Sequence, residues 1–229
     1  MEANATTLPA NRRRGRPPRL SRDGIEAAVA DMLIADPEAP LTVGRAAKAV
    51  GAKPMSLYRH FEDRDELVAA VARRVLFEPG PELDTGSWQE QTAAWMLTVY
   101  ERARRVPQLV QLMASGESTE WLIGAVQLAS IFERCGIDDE RLVAEAIYWV
   151  ATTTMGHAMI ETASPAQLED ERVGASLARL NSADAARAAR LVPRFDKMRG
   201  HTFRQVVGWT IAQLERMVAD ARQPTKAGA

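Results

Sequence analysis

The sequence contains a single cysteine, Cys135, so it can form neither an internal disulfide nor a cysteine-only metal site, and this agrees with a reducing compartment. It also lacks a long apolar run. Its longest stretch without a charged residue is the fifteen residues 146–160, whereas a membrane-spanning helix needs about 20 apolar residues. The arginine-rich N-terminal region has neither the apolar segment nor the cleavage site of a secretion signal. We therefore expect a cytoplasmic protein with no membrane partner.

Net charge is also nearly missing, at −1 over 229 residues, so the molecule as a whole offers no basic field to a polyanion. The charge is uneven, however, because six arginines fall within eleven residues that contain no acid: Arg12, Arg13, Arg14, Arg16, Arg19 and Arg22. We interpret residues 1–20 as a basic, flexible arm. The run Arg14-Gly15-Arg16-Pro17 resembles an AT-hook core, whose two guanidinium groups enter the minor groove, so Arg14 and Arg16 are candidate DNA contacts. The alternative is a merely solvated tail.

With 46% hydrophobic and 26% charged residues, the chain can bury a sizeable core, which excludes wholesale disorder. Helix signals punctuated by proline and glycine cover almost all of it, and no run of alternating β-branched residues predicts a strand. We therefore expect an all-α protein. The Pro79-Gly80-Pro81 run marks a boundary between a first domain, residues 21–78, and a second, residues 79–223, followed by a flexible tail, residues 224–229.

Capping signals divide the first domain into helices. Ser21 is the predicted N-cap of a helix over residues 22–35, Thr42 that of residues 43–50, and Asp63 that of residues 64–77, where Glu66 completes a capping box.

Between the second and third helices, the sequence predicts a tight break. Gly51 supplies a left-handed turn residue, and Pro54 fits the first turn of the next helix. Its ring biases Lys53 away from helical dihedral angles. Two short helices joined by such a turn form a helix-turn-helix. In the third helix, Leu57 and Phe61 are four residues apart and are predicted to face inward, which leaves the opposite side polar and reachable.

The run from Leu41 to Phe61, with Ala-Ala-x-x-x-Gly followed one turn later by Leu-Tyr-x-His-Phe, and then Arg64-Asp65-Glu66-Leu67, closely resembles the DNA-binding domain of TetR-family transcriptional repressors. The resemblance covers residues 19–78 well, and beyond them only the helical character and the last two long helices match, loosely. It implies an N-terminal three-helix helix-turn-helix DNA-binding domain and a C-terminal helical bundle for dimerisation and ligand binding. The third helix of each subunit of a homodimer would enter a major groove of double-stranded operator DNA.

Position by position, the resemblance implies phosphate contacts for Thr42 and Tyr58, and a phosphate or packing contact for His60. The residues that it implies face the bases are Lys53, Pro54, Met55, Ser56 and Arg59. Arg64 stands where the family usually has lysine, and an arginine can still meet a phosphate there. Met55 is a second departure, and it could touch a thymine methyl or simply pack. On physical grounds Arg59 is the best candidate for sequence discrimination, since a guanidinium reads guanine O6 and N7 at about 1–3 kcal/mol.

The second domain reads as long helices, predicted over residues 88–105, 108–114, 119–135, 139–163 and 196–221. Residues 142–160 are apolar around most of the helix circumference, which predicts neighbours on all sides. Residues 164–189 are predicted to form a mobile connection with a weak helix. The resemblance assigns the last two long helices to a dimer interface, but an apolar stripe by itself says only that something packs there, so the monomer's own core stays open as the alternative.

Family members of this kind often hold a small effector in the C-terminal domain. The residues that could line such a cavity are aromatic, soft or polar: Trp95, Tyr100, Met113, Trp121, Phe132, Tyr148, Thr152, Met155 and His157. Each of them could equally be core packing. The polar set Tyr148, Thr152 and His157, on one helix predicted to be buried, is the most suggestive because buried polar groups require partners.

The function predicted is therefore a ligand-responsive repressor that occupies its operator as a homodimer. A second possibility is an architectural or activating DNA binder that uses the arginine arm and needs no effector. An enzyme is not expected, because the three histidines lack His-x-x-x-His spacing and the sequence has no Gly-x-Ser-x-Gly, P-loop or dinucleotide motif. We predict no cofactor and no metal site.

Overall fold

A computed structural model of the chain describes residues 20–80, 85–115, 119–162, 171–198 and 202–222. Those residues form eleven α-helices and no strand, so the described part of the fold is all-α as predicted. The helices are α1 (Arg22–Ala35), α2 (Val43–Ala49), α3 (Pro54–Leu57), α4 (Arg64–Phe77), α5 (Trp88–Arg105), α6 (Pro107–Ser115), α7 (Trp121–Arg134), α8 (Glu140–Thr162), α9 (Glu171–Leu177), α10 (Ser182–Met198) and α11 (Phe203–Arg222). None of these described helices has the length and apolar character that crossing a membrane requires.

Local hydrogen bonds begin the first helices where the sequence predicts. The Ser21 side chain accepts from Gly24 N at the start of α1, and the Thr42 side chain accepts from Arg45 N at the start of α2. Each cap pairs an N–H that the helix itself leaves unpaired, which is worth about 1 kcal/mol.

At α4 the capping box is wrong in one detail. Asp63 accepts from Glu66 N as predicted, but the Glu66 carboxylate reaches past Asp63 to accept from Glu62 N. It also accepts from Arg22, with Nη1 and Oε1 2.6 Å apart. The Glu62 N–H, and then Arg22, lower the pKa of Glu66. Glu66 therefore joins α1 to the start of α4 as well as closing its first turn.

Arg22, the last of the six arginines in the N-terminal run, contacts other residues of the protein. Its Nε atom lies 3.1 Å from Glu26 Oε1, and its guanidinium lies over the Phe61 ring, 4.7 Å from the centroid. Glu26 is only 3% exposed and also pairs with Arg73 of α4 at 2.7 Å. Burying a charge destabilises the fold unless the charge is paired, and Arg22 and Arg73 both pair with the buried Glu26 carboxylate. Arg22 thus fixes α1 against α4.

The later helices pack around α5, which contacts α4, α6, α7, α8 and α11. The α11 stripe predicted from the sequence is mostly internal: Phe203, Val207, Leu214 and Val218 are buried within this chain, and Ile211 packs against the core. The monomer's own core therefore accounts for that stripe. On the same helix, Trp209 is 58% exposed.

The expectation that residues 142–160 are buried on all sides is wrong for the isolated chain. Val150, Thr154 and Ala158 of α8 are buried, whereas Tyr148 and Ile160 are 73% and 67% exposed. The same helix therefore has an inner and an outer apolar face, and hydropathy alone does not distinguish them.

Two boundaries also differ from expectation. Residues 171–177 and 182–198 form two helices, α9 and α10, where a single weak helix was predicted. Asn181 stabilises the start of α10, since its side chain accepts from Asp184 N at 2.9 Å. The last helix, predicted from residue 196, begins at Phe203 instead.

Candidate functional site

The turn between α2 and α3 has the predicted geometry. Gly51 has φ 64°, which L side chains rarely adopt, and Lys53 is extended, with φ −86° and ψ 149°. Pro54 opens α3, and Leu57 and Phe61 are 1% and 2% exposed in the core beneath it. Full burial of side chains of this size stabilises by about 1.5–3 kcal/mol each. The inner side of the turn is thus anchored, and its outer side is left to solvent.

Regular helix in α3 stops at Leu57, earlier than the sequence indicates. Residues 58–60 continue as a turn in which His60 N donates to Leu57 O at 2.8 Å. Tyr58 and Arg59 therefore project from the end of α3, and Phe61 N also donates to Leu57 O. The turn does not change which side of this segment faces inward, because Phe61 is still buried in the core.

The predicted DNA-facing residues of the helix-turn-helix lie in and directly after α3 and at the starts of α2 and α4, and most of them are exposed. Those exposed are Thr42, Lys53, Pro54, Met55, Tyr58, Arg59 and Arg64, while Ser56 and His60 are half-buried. The Met55 side chain is 73% exposed, which is unusual for methionine. Arg14 and Arg16 lie outside the described residues.

Unneutralised positive charge accompanies this surface. Lys48, Lys53 and Arg59 form no ion pair with the described part of the chain. Arg64 already has partners within the chain, since its Nη1 atom lies 3.3 Å from Asp65 Oδ1 and its Nη2 atom lies 3.5 Å from Leu41 O. The surface can therefore meet an anionic ligand through Lys53 and Arg59 without first breaking an internal pair.

The nine predicted effector-binding residues do not share one environment. Trp95, Tyr100 and Phe132 are buried, and Met155 and His157 are half-buried. Trp121, Tyr148 and Thr152 are exposed, so the expectation that the helix carrying Tyr148, Thr152 and His157 is buried is wrong at two of these three positions. Thr152 instead donates to Tyr148 O in its own helix at 2.7 Å. The Met113 side chain lies outside the described residues.

An internal polar cluster joins α5, α8 and α11. The Tyr100 phenol donates to the Glu161 carboxylate, and its ring stacks on Phe203 with centroids 3.9 Å apart. The His157 ring also lies near Phe203, with centroids 5.6 Å apart. Burial, and then the Glu161 hydrogen bond, raise the pKa of Tyr100 well above its ordinary value. Sequence reasoning did not place Glu161 or Phe203 in this cluster, although Phe203 belongs to the predicted stripe of the last helix and Glu161 stands four residues after His157 on α8.

A second junction joins the end of α4 to α5 and α7. Trp95 Nε1 donates to Gln127 Oε1 at 2.9 Å, and Gln127 Nε2 donates to Phe77 O at 2.9 Å. The rings of Phe77 and Trp95 stack with centroids 6.5 Å apart. A Cβ added to Gly124 would lie 2.9 Å from the Phe77 ring, so glycine is required for this close approach. No sequence signal marks Gln127 as the bridging residue.

A cavity of about 290 Å³ lies between α1, α4 and α5. Ala30, Ile34 and Val75 supply its apolar wall, and Arg102 and Arg105 are among its charged residues. Burial lowers the pKa of Arg102, which donates to Leu76 O at 3.3 Å. None of the nine predicted effector-binding residues lines this cavity.

No family model and no curated protein matches the sequence. Solved structures do match. The Streptomyces coelicolor TetR family protein ActR in complex with actinorhodin has a TM-score of 0.67 at 21% identity, covering 89% of this chain and 99% of that one. BioQ with its double-stranded DNA operator has a TM-score of 0.56 at 20% identity, covering 86% and 99%.

A variant of TetR from Acinetobacter baumannii AYE in complex with minocycline has a TM-score of 0.60 at 19% identity, with 87% of this chain and 98% of that chain covered. These likenesses extend over nearly the whole length of each solved chain, well beyond the helix-turn-helix that the sequence resembles. The chain therefore has the all-helical fold of the TetR-family transcriptional regulators, with an N-terminal helix-turn-helix and a C-terminal helical part.

Proposed function

We propose that this chain is a sequence-specific DNA-binding transcriptional regulator, acting as a homodimeric repressor that a small-molecule effector releases from its operator. The observation that carries the proposal is the exposed surface around α3. Lys53, Met55 and Arg59 project from it, while Leu57 and Phe61 fix it from behind. Residues 21–78 would be the DNA-binding domain, 79–223 the regulatory domain, and 1–20 a basic arm that adds Arg14 and Arg16.

The chemistry of this surface suits a duplex. Arg59 can read guanine through two hydrogen bonds, and Met55 can contact a thymine methyl. Thr42 and Tyr58 are both exposed and can donate to phosphates, which fixes the register without reading sequence. Lys53 adds a positive charge that has no ion-pair partner in the described part of the chain, and this favours association with DNA.

Dimerisation is supported by the outer faces of α8 and α11. Tyr148, Trp149 and Ile160 of α8 and Trp209 of α11 are large apolar residues left in solvent. The two helices pack on one another, so these residues belong to neighbouring surfaces. Clustered exposed apolar residues typically mark an interaction site. A second copy of the chain would cover them and would present two recognition surfaces to half-sites about 34–36 Å apart.

The effector part of the proposal rests on the internal residues of α5, α7 and α8. Trp95, Tyr100, Phe132, Met155 and His157 are the predicted ligand contacts that remain inside the chain. ActR and TetR have been solved with actinorhodin and minocycline, and by analogy we propose a small organic effector here. The Gln127 junction gives a route to α4, since any shift of Trp95 acts on the Phe77 carbonyl. Coupling of about 1–3 kcal/mol is typical of such linkage.

Binding of the intact protein to fragments of its own upstream region, across a salt series, tests the proposal. For a dimer that neutralises about 8 phosphates, log affinity should fall against log salt with a slope near −7. A slope near zero would contradict DNA binding altogether. Repeating the titration with candidate ligands tests the effector, which should weaken binding without changing the preferred sequence.

The alternative, an architectural or activating DNA binder led by the arginine arm, is tested by deleting residues 1–18. Loss of nearly all binding would favour the arm, because its guanidinium groups would then supply most of the contacts. Modest loss with the same sequence preference would favour the helix-turn-helix.

A further inference from the structure

One side chain of α6 holds the loop that joins α1 to α2. Gln108 Oε1 accepts from Leu41 N at 2.8 Å, and Gln108 Nε2 donates to Pro37 O and to Ala39 O, both at 3.0 Å. These atoms lie 67 to 71 residues apart in sequence. The amide thus spans the loop from Pro37 to Leu41.

The chemistry of the loop fixes which way the amide points. The atom that faces the Leu41 N–H must accept, and the atom that faces two carbonyls must donate, so only one orientation of Gln108 satisfies all three contacts. Leu41 is 4% exposed, and Gln108 is the acceptor for its N–H. Loss of the Gln108 amide would therefore leave a buried donor without its partner, which is costly.

Further polar contacts to this loop come from within the first four helices. Arg45 donates to Pro40 O at 2.9 Å and pairs with Asp36 at 3.0 Å. Arg64 approaches Leu41 O. Within the described part of the chain, Gln108 is thus the side chain that ties this loop to a helix beyond α4.

The loop leads directly into Thr42, the N-cap of α2, so its position sets where the helix-turn-helix begins. The helix α6 packs on α4, α5 and α8, the last two of which carry the internal cluster around Tyr100. A movement of α6 would therefore displace the loop through the Gln108 hydrogen bonds, and would displace α4 through direct packing.

We propose that Gln108 is a positioning residue for DNA binding: by fixing the loop before α2 to α6, it sets the orientation of the two recognition surfaces of a dimer relative to one another. This inference rests on the proposed function, because it concerns how the same DNA surface is presented. Gln108 itself does not touch DNA. Its loss should leave the contacts within each half-site intact and loosen the spacing between half-sites.

The variants are Gln108→Met, which keeps the length of the side chain and removes all three hydrogen bonds, and Gln108→Glu, which keeps the acceptor for Leu41 N–H but sets an oxygen against two carbonyls. The matched control is Gln111→Met, one turn further along α6, at an exposed glutamine whose side chain makes no hydrogen bond with another described residue. All use the full chain and a duplex that the unaltered protein selects from a random-sequence library.

Affinity is measured for that duplex and for a copy with one base pair added between the half-sites, across a salt series. We expect Gln108→Met to bind the selected duplex about tenfold more weakly. A loss of this size results if only about one tenth of the protein population holds the orientation that can bind DNA. Its penalty for the added base pair should shrink at least threefold, and its salt slope should stay unchanged because the phosphate contacts are the same. Gln108→Glu should lose at least as much, and Gln111→Met nothing.

Hydrogen exchange at the Leu41 amide gives a readout that needs no DNA, and exchange there should be at least tenfold faster in Gln108→Met than in Gln111→Met. Unchanged exchange or unchanged affinity in Gln108→Met overturns the inference and leaves the proposed function standing. Weaker binding with an undiminished spacing penalty also overturns it, since that indicates a merely structural residue. If the unaltered protein selects no duplex, the proposed function fails, and the inference fails with it.

Discussion

The ring of Tyr100 lies against the ring of Phe203, with their centroids 3.9 Å apart and their planes 16° from parallel. This contact joins α5 to α11, and the Tyr100 phenol extends it to α8 through the Glu161 carboxylate. A phenol inside a helical bundle that donates to a carboxylate is held in its protonated form. The stability of the fold therefore depends on pH at this position.

The first prediction concerns alkaline pH. The pKa of Tyr100 is raised in the folded chain above its ordinary value of 10.0, so above that pH the unfolded chain releases a proton that the folded chain keeps. The Tyr100 contribution is present below pH 10 and is lost as pH rises further, at up to about 1.4 kcal/mol per pH unit. Chemical denaturation should show a shallower alkaline loss in Tyr100→Phe. Equal slopes in the two proteins would contradict the assignment.

The second prediction concerns close packing at the end of α4. The Cβ of Gly124→Ala would lie 2.9 Å from the Phe77 ring and 3.0 Å from the Trp95 ring, and rigid rings cannot yield as a flexible side chain does. We expect a loss of about 1–3 kcal/mol in the free energy of unfolding.

The matched control for that change is Gly174→Ala in α9, where an added Cβ meets no atom within 4 Å. Alanine is the better helix former, so this substitution should be neutral or should stabilise by about 0.5–1 kcal/mol. Destabilisation of equal size in both variants would show that backbone conformation, and not the approach to the two rings, decides the outcome.

The third prediction concerns base readout. Arg59→Ala should weaken binding to the preferred duplex by about 1–3 kcal/mol and should relax the preference at one base pair of each half-site. Competition titrations with single-base variants of the duplex measure both effects. Arg104→Ala is the control, because Arg104 lies on α5 and pairs with Glu101. A loss that is equal for every duplex would place Arg59 on the phosphates.

Local signals in the sequence predict much of the first four helices. Ser21, Thr42 and Gly51 act through atoms within three residues of themselves, and a cap or a left-handed turn needs nothing more distant. The same holds for the exposed side of α3, because Leu57 and Phe61 determine by their spacing which side is buried.

Long-range contacts are what the sequence does not reveal. Gln108 meets the loop about 70 residues earlier, and a glutamine that bridges two elements has the same local pattern as one in solvent. Trp209 and Tyr148 show a second reason. The hydropathy pattern of a long helix is the same whether an apolar residue lies in the core of its own chain or on the surface. Only the packing of α11 on α5 and α8 separates the two.

The last prediction concerns the outer faces of α8 and α11. Trp209→Glu or Ile160→Glu would place a charge where a second copy of the chain is proposed to pack, and a charge buried without a partner costs several kcal/mol. Neither substitution disturbs the core of a single chain, because both side chains are more than half exposed. Sedimentation velocity should therefore show a monomer that keeps its helical circular dichroism.

Leu180→Glu is the control for these two variants, at an exposed apolar residue between α9 and α10 that the proposed interface does not include. DNA binding should weaken with the loss of the dimer, and the salt slope should fall to about half, since one recognition surface neutralises about half the phosphates. A dimer that persists in both variants would require another surface to join the two copies, and the outer faces of α8 and α11 would then need a different occupant.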